Sequence, residues 1–230
     1  MIAHFIMDGK AFLVLEHHGQ GDLLSAINDD ETYFRLTPEV ARKWSCQLCE
    51  GLEYLHRLRI AHRDLKMENV LISTNFNIKI SDFSFARELV GRTRLSETYC
   101  GSHAYACPEV LKCVQYDPHK ADVWALGVLL FGLLNRLMPF PDHPNPVVII
   151  RLQLGRQYRW SSNVHLLPRS HERIFAMDLV DSMLSPAESL RPCLSRSVKH
   201  PWLYPCRQGG ATLITPEEAF LIWKRNKNSN

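Results

Sequence analysis

The stretch His62-Arg63-Asp64-Leu65-Lys66-Met67-Glu68-Asn69 gathers a carboxylate, an ammonium and a carboxamide within a few residues. An apolar, strand-like run, Val70-Leu71-Ile72, follows at once. A second acid, Asp82, closes the run Asn77-Ile78-Lys79-Ile80-Ser81. These residue types suit phosphoryl transfer. That reaction needs a base to orient a hydroxyl, a cation near the moving phosphoryl, and oxygen ligands for Mg²⁺. The bland alternative is an ordinary polar loop between a helix and a hairpin.

The flanking sequence supplies elements that would position this loop. Thr37-Pro38-Glu39 reads as a helix start, with an N-cap hydroxyl, a proline in the first turn and an acid near the positive dipole end. Val40, Trp44, Leu48, Leu52 and Leu55 then recur at helical spacing, so this helix delivers the chain to His62. Val70–Ser73 and Asn77–Ser81 are predicted as two short strands around a polar turn. Upstream, Ile2–Met7 and Ala11–Leu15 flank Asp8-Gly9, the signature of a tight hairpin, and Asp22–Ile27 starts a short helix. Asp117-Pro118 opens a helix that is apolar on all sides through Val123–Leu134. Such a helix is buried, and its acid, Asp122, needs partners. Val147–Leu154 and Ser170–Leu184 are amphipathic.

Composition bounds the rest. The length of 230 residues fits one domain of two lobes, and the net charge of +3 is too small to argue for nucleic acid. Seven cysteines form no regular framework, and Asp8 and Lys10 interrupt the N-terminal apolar run, so reduced thiols inside the cell are expected. Cys46-Gln47-Leu48-Cys49 has metal-type spacing, yet it lies in a helical pattern without a second pair, and helix packing is the better reading. The longest apolar run is too short to cross a bilayer. No membrane contact is expected, and the compartment expected is the cytoplasm, with the nucleus also open.

The loop matches the H-R-D-L-x-x-x-N pattern of protein kinases at every specified position, and its Lys66 is the serine/threonine-kinase form. Thr98-Tyr99-Cys100-Gly101-Ser102, Ala104–Glu109 and Gln20–Leu24 most resemble the testis-specific serine/threonine kinase branch of the calcium/calmodulin-dependent kinase group. The resemblance covers residues 1–204. It implies an α+β fold, mostly the helical C-lobe, with a two-strand remnant of the N-lobe sheet. Residues 1–16 would be that remnant, 17–21 the hinge, 22–204 the C-lobe and 205–230 a tail, with one weak helix at 216–224.

The resemblance also implies roles. Asp64 would be the catalytic base, Lys66 would steady the γ-phosphoryl of ATP, and Asn69 and Asp82 would hold Mg²⁺. Leu15 would be the gatekeeper. Glu16 and His18 would offer backbone groups to adenine, Asp22 would face the ribose, and Leu71 would floor the adenine site. Thr98 would be the activating phosphosite of an upstream kinase, with Arg63 and Arg87 binding its phosphate. Ser102 would face Asp64 and the protein substrate. Glu109 would pair with Arg191, and Asp122 would hold the backbone of the catalytic loop. Asp82-Phe83-Ser84 keeps the metal carboxylate and the packing phenylalanine, and its serine stands where the family has glycine. Cys107-Pro108-Glu109 varies the family's Ala-Pro-Glu by one small residue.

One expected part is missing from the chain. Gly19-x-Gly21 is not the phosphate loop, because it follows a strand it should precede. Lys10 is the only lysine before the hinge and falls at the hairpin turn. The glycine-rich loop and phosphate-binding lysine are therefore not in this sequence. Two functions remain open: a kinase whose sequence lacks its front, weak or inactive by itself, and a pseudokinase-like binding module.

Overall fold

The computed structural model describes residues 2–30, 36–89, 95–96, 101–141, 143–161 and 171–204. Its body is organised around one helix. To follow the chain, the helices are α1 (Leu23–Asn28), α2 (Pro38–Arg57), α3 (Pro108–Leu111), α4 (Pro118–Asn135), α5 (Pro146–Leu154), α6 (His171–Met183) and α7 (Leu194–Ser197). Helix α4 is buried continuously from Asp122 to Asn135, as an all-round apolar helix must be. Helices α2 and α6 pack on it, and Trp124, Phe131, Phe140 and Leu179 all lie in the same core. Burying a side chain of this size contributes roughly 1.5–3 kcal/mol before packing losses are counted.

Helix α2 begins where the sequence places it. Thr37 Oγ1 accepts from Val40 N at 3.4 Å, and Pro38 fills the first turn. Trp44, Leu48 and Leu52 are buried, while Val40 and Leu55 pack at the core's margin. Cys46 and Cys49 are buried on the same helix, and burial pushes the Cys49 thiol above its ordinary range. Among the described residues, no three potential ligands converge as a metal site.

The strands are short. Strand β4 (Val70–Ile72) pairs antiparallel with β5 (Ile78–Ile80), Leu71 opposite Lys79, and β3 (Ile60–Ala61) pairs with β6 (Arg87–Glu88). Helix α2 grips the β4–β5 turn from below. Trp44 Nε1 donates to the Phe76 carbonyl at 2.9 Å, and Gln47 Nε2 donates to Asn77 Oδ1 at 2.8 Å. The turn is thus fixed to the core, and with it strands β4 and β5, which run between the polar loop and Asp82.

Strands β1 (Ala3–Met7) and β2 (Lys10–Val14) form the expected hairpin. Asp8 (φ +50°) and Gly9 (φ +72°) take the two left-handed positions that its turn requires. Lys10, expected in the turn, instead opens β2 and pairs with Met7, because the two-residue turn is complete at Gly9. Every residue of both strands is exposed, with Phe5 and Phe12 stacked at 5.1 Å. The whole is an α+β arrangement, a helical body with small two-stranded sheets, as the sequence predicts.

Candidate active site

The polar loop takes its shape from a carboxylate beneath it. Asp122, on α4, is 1% exposed. Its Oδ1 accepts from Arg63 N and its Oδ2 from His62 N, both at 2.8 Å, and His56 Nε2 lies 2.9 Å from Oδ2. An unpartnered carboxylate at this depth would cost several kcal/mol. The bonds to Arg63 and His62 hold Arg63 in the left-handed region at φ +68°, a conformation that costs about 1–3 kcal/mol in a non-glycine residue.

Asp64 is itself buried, and both its oxygens are engaged. Oδ1 accepts from Ser102 N at 3.1 Å and from Ser102 Oγ at 3.3 Å. Oδ2 lies 3.0 Å from Lys66 Nζ and accepts from Asn69 Nδ2 at 3.2 Å. Lys66 Nζ also donates to Ser102 Oγ at 3.2 Å, so ammonium, hydroxyl and carboxylate close a small ring. A carboxylate fixed in this way is pre-aimed at one point, and Lys66 places a cation against its charge.

Two further oxygen donors stand nearby. Asn69 spends its amide protons on Asp64, donating to the backbone carbonyl at 2.9 Å as well as to Oδ2, and its carboxamide oxygen has no hydrogen-bond partner among the described residues. Ser81 N and Oγ donate to the Asn69 carbonyl at 2.8 and 2.9 Å, tying Asn69 to the residue before Asp82. Asp82 is exposed and left-handed at φ +59°. The hydroxyl of Ser84 first, its amide second, and smaller pulls from Lys66 and His62 hold the Asp82 carboxyl below its ordinary range. It stays ionised at neutral pH. Hard oxygen donors of this kind suit Mg²⁺, which takes few protein ligands and retains water.

Comparison with known proteins follows from this geometry. The family profile described as protein kinase domain matches residues 1–203. The chain belongs to the protein kinase family. It is 38% identical over 206 residues to testis-specific serine/threonine-protein kinase 1 of Mus musculus, an alignment that covers 88% of this chain and 54% of that protein. It is 36% identical over 214 residues to the Homo sapiens protein of the same name, covering 91% and 56%. It is 37% identical over 197 residues to testis-specific serine/threonine-protein kinase 3 of Mus musculus, covering 85% and 69%. The chain therefore spans little more than half the length of kinase 1 and about two thirds of kinase 3, and its family is that of serine/threonine protein kinases.

Other kinase elements that the sequence predicts can now be located. Leu71 is half-buried on β4, and a β-bridge joins it to Asp22. Ile72 N donates to the Gly21 carbonyl at 2.9 Å, which straps the segment after β2 onto β4. Leu15 and Glu16 are exposed and His18 is half-buried. The Asp22 carboxylate caps α1 by accepting from Ser25 N at 2.8 Å and Ser25 Oγ at 3.0 Å, so it is committed locally before any ligand arrives.

Glu109 and Arg191 meet as a fork. Arg191 Nη2 donates to Glu109 Oε2 at 2.8 Å, and Nη1 donates to Oε1. Nε of the same guanidinium donates to the Ser185 carbonyl at 2.8 Å, and its carbon lies 4.9 Å from the Trp124 ring centre. Burial pushes the Glu109 carboxyl up, and Arg191 more than reverses this, so its pKa lies below the ordinary value. Arg87 is exposed on β6. Thr98 lies outside the described residues. Ser96 is buried, and its backbone exchanges two hydrogen bonds with Tyr116 at 2.8 and 2.9 Å.

Some details differ from the sequence reading. Phe83, expected to pack, is 47% exposed and meets only the edge of His62 among aromatic rings of the described residues. At Asp82-Phe83-Ser84 the left-handed backbone falls on Asp82, not Ser84, so the serine sits there without backbone strain. Sequence reasoning also missed three residues that build the site. His56 supports Asp122 from α2. Gly101 (φ +86°) packs so closely on the loop that a Cβ would meet the Arg63 carbonyl oxygen at 2.6 Å. Tyr105 accepts from Met67 N through its hydroxyl at 3.3 Å. Only Gly101 carried a signal, as a glycine inside a hydroxyl-rich segment.

Proposed function

We propose that this chain carries the catalytic lobe of a serine/threonine protein kinase, which moves the γ-phosphate of ATP to Ser or Thr hydroxyls of protein substrates. The observation that carries this reading is the buried Asp64 carboxylate, gripped by Ser102 on one oxygen and by Lys66 and Asn69 on the other. In this reading Asp64 orients the substrate hydroxyl and accepts its proton, and Ser102 lines the approach. Lys66 places positive charge beside the moving phosphoryl. Mg²⁺, when bound, neutralises phosphate charge, and the Asn69 carboxamide oxygen with the Asp82 carboxylate would hold it.

The adenine side follows the same reading. Leu15 gates the site, backbone groups of Glu16 and His18 meet the base, Leu71 lies beneath it, and Asp22 faces the ribose while capping α1. Thr98 is the activating phosphosite of an upstream kinase, and Arg63 and Arg87 are its cationic partners. The Glu109–Arg191 fork anchors the segment, and Asp122 shapes the loop. The setting is the cytoplasm.

The 230 residues by themselves transfer phosphate weakly. No glycine-rich loop followed by a strand lysine stands among them, and positioning the phosphates supplies much of the rate in this reaction. The same observation favours a second reading, a binding module that uses the helical lobe without catalysis. One experiment separates the two. Residues 1–204 are joined behind the N-terminal lobe of testis-specific serine/threonine-protein kinase 1, and phosphate transfer from Mg·ATP to a protein substrate is followed. Turnover in the ordinary range of about 1–100 per second supports the kinase. No transfer by a folded chimera supports the binding module.

A further inference from the structure

Helix α5 buries a glutamine and leaves apolar residues outside. Its two buried positions, Ile149 and Gln153, lie one turn apart on one face. Gln153 is 1% exposed, whereas Val147 and Leu154 are exposed. Glutamine is seldom placed this deep. One end of its carboxamide is used and the other is not. Gln153 Nε2 donates to the Ala106 carbonyl at 2.9 Å. Gln153 Oε1 is buried with no hydrogen-bond partner among the described residues. A methionine of similar volume would fill the space without stranding an oxygen. What glutamine adds at this position is the donor.

That donor holds the far end of a turn beside Asp64. Residues His103–Tyr105 form a single 3₁₀ turn, with Ser102 before it and Ala106 after it. The near end is tied to the polar loop, where Ser102 N donates to Asp64 Oδ1 at 3.1 Å. The middle is tied to the same loop, where Met67 N donates to the Tyr105 hydroxyl at 3.3 Å. A cavity of about 30 Å³, room for a water, opens beside the turn, with Asp64, Ser102, Tyr105 and Ala106 in its lining. Side chains facing such a gap lose contacts, so packing alone holds the turn loosely. The third anchor comes from α5, and it is Gln153 on the Ala106 carbonyl.

We propose that Gln153 is a positioning residue for the protein substrate: through the Ala106 carbonyl it fixes the turn that walls the approach to Asp64. The inference rests on the kinase reading and adds to it a residue of α5, outside the polar loop. A wall already fixed meets a peptide without first having to be ordered, so losing the anchor weakens peptide binding. Asp64 keeps Lys66 and Asn69 on its other oxygen, so proton acceptance stays in place.

The first measurement needs no phosphate transfer. In the unmutated 230-residue chain, NMR should find a Gln153 Nε2 proton protected from exchange. Gln153→Met and Gln153→Leu then remove the donor in two shapes. Each should speed exchange at the Ser102 and Tyr105 amides by about tenfold, the effect of one net hydrogen bond. Tm should fall by less than about 4 °C, because each variant strands the Ala106 carbonyl but relieves the Gln153 oxygen. The second measurement uses the chimera with an N-terminal lobe. There both variants should raise KM for a serine/threonine peptide about tenfold, with kcat and the KM for ATP held within about twofold. A merely structural role would lower Tm and kcat together without that split, and this result would overturn the proposal. So would an unprotected Gln153 Nε2, unchanged exchange at Ser102 and Tyr105, or an unchanged peptide KM in an active chimera, each leaving the kinase reading intact. A chimera with Gln153 in place that transfers no phosphate would overturn the kinase reading, and this inference with it.

Discussion

Replacing Glu109 with glutamine should unsettle the whole helical body, because the partner it leaves behind cannot reach water. Arg191 is 1% exposed, and its guanidinium is forked onto the Glu109 carboxylate. Removing one member of such a pair costs about 3–5 kcal/mol, since it strands the other charge. The Ser185 and Lys120 carbonyls and the Trp124 face remain for the guanidinium, so the low end, about 3 kcal/mol, is expected. For a body of this size that corresponds to a fall in Tm of about 6–12 °C. The assay is urea unfolding followed by tryptophan fluorescence, with Trp124 beneath the guanidinium as reporter. The sign with pH follows from the depressed carboxyl. The stabilisation is present above the unfolded carboxyl value of about 4.3 and is lost as pH falls through the lower folded value. Glu109→Gln should abolish that part of the acid dependence. The double change Glu109→Leu with Arg191→Met should recover much of the loss, since apolar pairs of similar volume replace buried ion pairs well. A loss below about 1 kcal/mol at pH 7, the range of an exposed pair, would refute the reasoning.

Other outcomes follow from the site. Gly101→Ala would place a methyl against the Arg63 carbonyl in left-handed backbone, so Ser102 should retreat from Asp64; faster hydrogen exchange at the Ser102 amide, with about 1–3 kcal/mol lost, is the expected result. Asp82→Ala should abolish Mg-dependent nucleotide binding in a chimera that shows it, measured by calorimetry, because Asp82 is the anionic member of the donor pair. In that chimera Thr98→Ala should lower turnover while Ser96→Ala should not, since Ser96 is buried and its backbone is paired with Tyr116. The reverse result would move the switch to Ser96.

Local signals in the sequence located most of the elements. Thr37 and Asp117 announce their helices because capping is a short-range act, and Asp8-Gly9 announces the hairpin because few other residues tolerate its turn. The unbroken apolar character of α4 made its burial legible, and the isolated acid within it made Asp122 conspicuous. What stayed hidden was pairing across distance. His56 reaches Asp122 over a separation of 66 positions, and nothing about a histidine near a helix end announces that contact. Tyr105 looked like one more aromatic in a loop, yet its hydroxyl serves the amide of Met67. Phe83 was misjudged because its burial depends on what covers that face, which lies beyond its neighbours in sequence.

The central claim is that Asp64 and its neighbours form the working centre of a kinase. The most direct measurement compares Asp64→Asn with the unchanged residue in the chimera carrying an upstream N-terminal lobe, following transfer of labelled γ-phosphate to a serine/threonine peptide. Asparagine keeps the shape and accepts from Ser102 through its oxygen, but it takes no proton and does not pair with Lys66 as an ion. The account predicts that turnover falls by about 10²–10⁴-fold while Mg·ATP still binds. Equal turnover in the two proteins would contradict it.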